Sequence, residues 1–185
     1  MQQHREEENN MKKRILTAVL AAALVTGTCA ATVSAKEEKT CTIGICQLVQ
    51  HDALDAATKG FEDAITEKMG DSVKFDEQNA QGDSNTCSTI INSFVSEGAD
   101  LILANATASL QAAAAGTSDI PILGTAVTEY GVALGIDDFD GTVGGNISGT
   151  SDLAPLDEQA DMLHELFPDA KNVGLLYCSA EPNSQ

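Results

Sequence analysis

The chain has no tryptophan, and it sets only 10 lysine and arginine residues against 28 aspartates and glutamates, a net charge of −18 over 185 residues. Beyond Lys74 the only lysine or arginine is Lys171. Binding nucleic acid or an anionic headgroup requires clustered cations that displace counterions, so neither is expected as a partner. The missing tryptophan counts against a sugar site, which commonly uses flat aromatic faces as platforms. No GxGxxG follows a strand pattern, and neither GxxxxGK[ST] nor GxSxG occurs. The signatures of dinucleotide, nucleoside-triphosphate and hydrolase chemistry are therefore lacking. With no CxxC, and with His51 and His164 isolated, neither zinc nor any other cofactor is expected.

What is present begins with an export signal. Met11-Lys12-Lys13-Arg14 is a basic start, Ile15 to Val25 is apolar, and Val33-Ser34-Ala35 offers the small residues read by a signal peptidase. The signal spans residues 1–35, with translation expected to start at Met11. Its apolar run is shorter than the roughly 20 residues a permanent anchor needs. Cys29, after Thr26-Gly27-Thr28, offers a second ending by lipid attachment; soluble release is the first reading and tethering the second. Either places the protein outside the cytoplasm. Cleavage would remove four basic and three acidic side chains and leave a charge of −19. The remaining length, about 150 residues, suits one full domain.

Cys41, Cys46, Cys87 and Cys178 survive cleavage. Cys41 and Cys46 lie an odd number of residues apart on one predicted strand and point to opposite faces, so they do not pair with each other. Buried free thiols are the expected state.

Strand-like and helix-like patterns alternate along the rest of the chain. The spacing predicts strands at Thr42 to Leu48, Val73 to Gln78, Leu101 to Ala104 and Ile120 to Ala126, a shorter one at Val132 to Ile136, and a last one at Val173 to Cys178. Gly141 to Gly149 reads as loop or edge strand. Helices are predicted at Asp52 to Met69, with Leu54, Phe61, Ala64 and Ile65 on one face; from Asp83 or Ser84 to Gly98; at Ser109 to Ala115; and at Leu156 to Phe167. Phe61, Phe94 and Phe167 fall on faces expected to be core. Alternation of this kind builds an α/β fold: a three-layer parallel sheet with helices on both faces and every strand end at one edge.

In such sheets ligands bind outside the carboxyl ends of the strands. Those ends carry Gln47, then Asn105-Ala106-Thr107-Ala108, then Thr125-Ala126-Val127-Thr128, then Ser151-Asp152 after a glycine-rich stretch. Hydroxyls and helix N-termini suit a carboxylate, and the single Asp152 carboxylate suits an ammonium. A zwitterion, an amino acid, fits both. The competing reading of such residues as helix caps and turns applies to each position taken singly. Gln47 and Asp152 are both expected to be solvent-accessible without ligand.

Six stretches carry a family resemblance: IGICQLVQHDALDAATKGF at 43–61, NAQGD at 79–83, GADLILANATASLQAAA at 98–114, IPILGTAVTE at 120–129, NISGTSDLAP at 146–155 and NVGLLYCSAEPNS at 172–184. In this order and spacing the chain resembles the type I periplasmic-binding-protein-like substrate-binding components of ABC importers, most closely the subgroup linked to tryptophan and tyrosine uptake. Asp52, Ala108-Ser109 and Glu129-Tyr130 depart from that pattern, which more often has proline there.

The resemblance implies two lobes that close on a ligand and present it to an ABC permease, without catalysis and as a monomer. It implies a first lobe at 36–150, a hinge at 151–155 and the beginning of a second lobe at 156–185, so that the second lobe is only begun. The implied ligand-binding set is Gln47, Thr107, Ala108, Thr125, Ala126, Thr128, Ser151, Asp152, Asn183 and Ser184. A sugar or other small molecule on the same fold is the alternative ligand, and a non-transport surface interaction module the alternative role. Pairing His51 with Asp52 or Asp55 as a catalytic base has little support, because no nucleophile is placed beside it and capping of the first helix accounts for all three.

Overall fold

A computed structural model describes residues 40–184. The export signal, Met11 and Cys29 lie outside these residues. Five strands form one parallel sheet in the order β2-β1-β3-β4-β5, where β1 is Cys41–Gln47, β2 Val73–Asn79, β3 Leu101–Asn105, β4 Ile122–Val127 and β5 Ile147–Ser151. The helices are α1 (Asp52–Met69), α2 (Ser84–Glu97), α3 (Thr107–Gly116), α4 (Tyr130–Leu134) and α5 (Leu156–Leu166).

The first two crossover helices each have a local cause. His51 Nδ1 accepts the Ala53 N–H at 3.2 Å and starts α1, so this imidazole serves as a cap. Asp83 accepts the Thr86 N–H at 2.7 Å and starts α2, which Gly98 ends in the left-handed conformation (φ 74°). Alternation then sorts the strands' side chains. Cys46, Ile102, Ala104 and Ile122 face α2, α3 and α4, where Ile91, Phe94 and Leu110 close the larger core. Ile43, Ile45 and Leu103 face α1, against Phe61, Ile65 and Phe75. Burying an isoleucine or phenylalanine to this degree stabilises by about 1.5–3 kcal/mol each, and Phe94, Ile91 and Ile102 are at most 1% exposed.

The thiols follow the same alternation. Cys41 belongs to the α1 side and Cys46 to the other. Cys46 and Cys87 each lie 3.6 Å from Ser109 Oγ, and burial pushes the Cys46 thiol up to about 12. Cys178 is exposed, contrary to the expected burial of the thiols.

Three other expectations are corrected. Residues 132–136 form no strand, because Glu129 takes the N–H groups of Gly131 and Val132 (2.7 and 2.6 Å) and starts α4, which Gly135 ends. Residues 173–178 also form no strand: Leu175 and Leu176 are 87% and 102% exposed, and no strand among the described residues pairs with them. A strand obtains its backbone hydrogen bonds from neighbours, so apolar alternation alone does not make one. Phe167 is 60% exposed, on a helix with nothing packed over its apolar face among the described residues. At the far edge the glycine-rich stretch does contribute a strand, β5, parallel to β4.

Candidate functional site

The strand ends divide into two environments. At the ends of β1 and β3 the polar side chains turn inward. Gln47 is 1% exposed, and its amide is engaged on both sides: Nε2 donates to Asp55 Oδ1 (2.6 Å) and to the Val49 carbonyl (3.0 Å), while Oε1 accepts from Thr58 Oγ1 (2.7 Å). Asn105, fully buried beside it, donates from Nδ2 to the Leu54 carbonyl and to Thr58 Oγ1, both at 2.9 Å. The network ties the first turns of α1 to the sheet. Gln47 is thus not the accessible strand-end group expected; its side chain lies on the sheet face that α1 covers, and the short loop brings Asp55 and Thr58 back over it.

At the ends of β4 and β5 the polar groups open to a cavity of about 960 Å³, lined by Val49, His51, Ala53, Leu54, Ala57, Thr125, Ala126, Thr150, Asp152, Cys178 and Glu181. Of the expected site residues, Thr125, Ala126 and Asp152 meet here. No lysine or arginine joins them, so the ionisable lining is His51, Asp152, Cys178 and Glu181. The apolar wall comes from the first turns of α1, held in place by the buried Gln47–Thr58–Asn105 network.

The other expected residues do not line this cavity. Thr107 is nearly buried at the start of α3, and Asn183 Nδ2 reaches its Oγ1 at 3.5 Å from the turn Pro182–Ser184, which also carries Ser184. Ala108 packs against the larger core. Ser151 donates through Oγ to the Thr128 carbonyl at 2.5 Å and lines a separate cavity of about 610 Å³ with Tyr130, Phe139 and Leu153.

Backbone strain concentrates at this edge. Ala106 (φ 88°, ψ 161°), between β3 and α3, sits in a region populated essentially by glycine, and Ala126 (φ 53°) lies where the β4–β5 register shifts. Residues held so cost on the order of 1–3 kcal/mol each and cluster at binding sites. At Ala126 the shift sets two residues of β4 against Thr150 alone, a bulge that re-aims the ends of both strands. No side chain caps α3, so its positive end is left to another acceptor.

His51, Thr150 and Glu181 were absent from the expected set. His51 was legible as the residue before the first helix, and Thr150 by its two-residue spacing from Asp152. Nothing in the local pattern marked Glu181.

Residues 42–185 match the family described as ABC transporter substrate binding protein. The chain is 46% identical over 146 residues to a tyrosine-binding protein of Clostridioides difficile, an alignment covering 77% of this chain and 42% of that protein. Among solved structures it is similar to a Streptococcus pneumoniae ABC domain in complex with L-Trp, at 35% identity and a TM-score of 0.72, over 78% of this chain and 50% of that one. It is also similar to the ligand-free, open form of a Clostridium difficile substrate-binding protein with adhesive properties, at 43% identity and a TM-score of 0.63, over 77% and 49%. The chain spans half or less of the length of these relatives. On this evidence the chain belongs to the ABC transporter substrate-binding protein family.

Proposed function

We propose that the chain supplies the first ligand-binding lobe of an extracytoplasmic amino-acid-binding component of an ABC importer, one that captures an aromatic amino acid and hands it to a membrane permease. The observation that carries this is the cavity at the β4–β5 strand ends, where exposed Asp152 stands among hydroxyls and small apolar side chains with no lysine or arginine in the lining. Asp152 holds the ammonium. Thr125 and Thr150 present hydroxyls, and Ala126 allows close approach. The start of α3, with Thr107 and Ala108, faces the carboxylate together with Asn183 and Ser184. Thr128 and Ser151 brace the end of β5, and Gln47 braces α1 from beneath.

The relatives support the ligand class, one being named for tyrosine and another having been crystallised with L-Trp. Lobe closure follows from the hinge assigned to 151–155. Leu156, Met162, Leu166 and Phe167 are each more than half exposed, as suits residues of 156–185 that belong to a second lobe. The basic-then-apolar segment at 11–25 supports export, with the protein at the outer face of the membrane, either released or tethered at Cys29. The monomer, with its acidic surface, needs no nucleic-acid partner and no cofactor.

Calorimetric titration of the full-length protein with L-tyrosine, L-tryptophan and a hexose tests this. Saturable binding of the amino acids is expected. Hexose binding without amino-acid binding would move the site to the sugar class.

A further inference from the structure

Tyr130 is 6% exposed, yet its hydroxyl reaches the sheet's edge and donates to the Thr150 carbonyl at 3.2 Å. The ring lies against the two glycines that face each other across β4 and β5. A β-carbon at Gly124 would fall on the phenol, and one at Gly149 on the phenol oxygen and on the Gly124 backbone, so Gly124 admits only glycine while the tyrosine stays in place and Gly149 is held to glycine by both neighbours. Two residues further along β4, the bulge at Ala126 shifts the register and pairs Val127 with Ser151. The Asp152 N–H then donates to the Val127 carbonyl at 3.1 Å. The phenol therefore grips β5 two residues before Asp152, from the side of the strand away from the 960 Å³ cavity, and itself lines the smaller cavity behind. Burial raises the Tyr130 hydroxyl above its usual range, with the nearby Asp152 carboxylate adding to the rise, so the phenol stays a neutral donor.

We infer that Tyr130 is a positioning residue of the ligand site: bonded to the Thr150 carbonyl and seated on Gly124 and Gly149, it holds the end of β5 so that Asp152 is presented to the ligand's ammonium. This rests on the amino-acid reading given above. Tyr130 touches no ligand; it acts through the backbone of Thr150 to Asp152. Packing alone would require the ring and leave the hydroxyl idle.

Tyr130→Phe keeps the ring and removes only the donor, and it is tested in the full-length protein with two probes. L-tryptophan carries the ammonium, and indole-3-propionate has the same ring and carboxylate without it. The wild-type protein is expected to prefer L-tryptophan by at least about tenfold. Tyr130→Phe should cut that preference about fivefold, the worth of one neutral hydrogen bond, with indole-3-propionate affinity nearly unchanged. Equal weakening of both probes, or no change in either, would overturn the inference. Asp152→Asn separates the two levels: if it leaves the preference intact, the ammonium reading of the site fails. Amide hydrogen exchange in the ligand-free protein then decides Tyr130 on its own. Tyr130→Phe should speed exchange of the Asp152 amide by about tenfold, in line with local loosening, while the amides of Ile102 and Ile122 keep their protection. An unchanged Asp152 amide would overturn the positioning role whatever the ligand.

Discussion

The ends of β1 and β3 and the ends of β4 and β5 lie on the same edge of one sheet, yet one pair is core and the other is cleft. Gln47 and Asn105 neighbour each other in register and are sealed by α1, so Gln47 and the Nδ2 of Asn105 are bonded to Thr58 and the start of that helix, while Asn105 Oδ1 is buried without a hydrogen-bond partner. Thr125 and Thr150 are also neighbours, with their hydroxyls 3.5 Å apart, but they remain open to a cavity. Polarity at a strand end is therefore not enough to identify a ligand group. What separates the two places is whether a helix folds back over the strand end. α1 does so for β1 and β3; α4, only five residues long, lies on the opposite face from the cavity.

This contrast predicts opposite outcomes for equally modest substitutions. The largest effect is expected at the open end: Asp152→Asn in the full-length protein should weaken amino-acid binding by about 2–5 kcal/mol, because it leaves a desolvated ammonium unpaired. Its urea midpoint should not move, since the side chain is exposed. Titration and urea denaturation of one preparation check both halves. At the closed end the pattern reverses. Asn105→Leu removes the donor to Leu54 and Thr58, and about 2–3 kcal/mol of unfolding free energy should disappear, as is usual when buried partners are left unsatisfied. Gln47→Leu should behave in the same way, whereas a ligand-contacting Gln47 would lose affinity at constant stability.

Alkaline titration sharpens the comparison further. Cys46, immediately before Gln47 in β1, has its thiol raised from 9.0 to about 12 by burial. A raised folded-state value means that the native protein holds its proton longer than the unfolded chain does. The stability is whole below pH 9 and is lost as the pH climbs from there toward 12. Tyr130, raised above 10 chiefly by burial, adds its own loss at the upper end of that window. Unfolding free energies measured from pH 8 to 11 should fall, and the fall should be shallower in Cys46→Ala. A slope unaffected by that substitution would assign the effect elsewhere.

The smallest change is expected at Ala106, whose backbone suits only glycine. Ala106→Gly should relieve the strain against a partial loss of chain entropy, for a net gain of about 1 kcal/mol in stability. A thermal melt that fails to rise would mean that the surrounding structure already accommodates this conformation.

Much of this architecture was legible in local pattern. The bounds of α1, the Asp83 cap, the Gly98 stop and the hydrophobic content of β1 to β4 follow from spacing and capping, which act over a few residues whatever lies farther away. The same holds for Asp152, which had to follow the last glycine-rich stretch. Residues 132–136 and 173–178 carried equally good strand patterns and formed none, because a strand also needs a neighbour and only the assembled sheet supplies one.

The amino-acid order by itself determined the longer helices and the strands β1 to β4, that these strands run parallel with their ends at one edge, and that this edge is polar and almost free of positive charge. Only the tertiary structure decided which of its polar groups open to a cavity. That choice turns on where α1 folds back, on the one-residue bulge at Ala126, and on Tyr130 gripping β5 through two glycines. Each is a contact between residues distant in sequence. Local propensity cannot encode such contacts, because their energy exists only once the partners have been brought together.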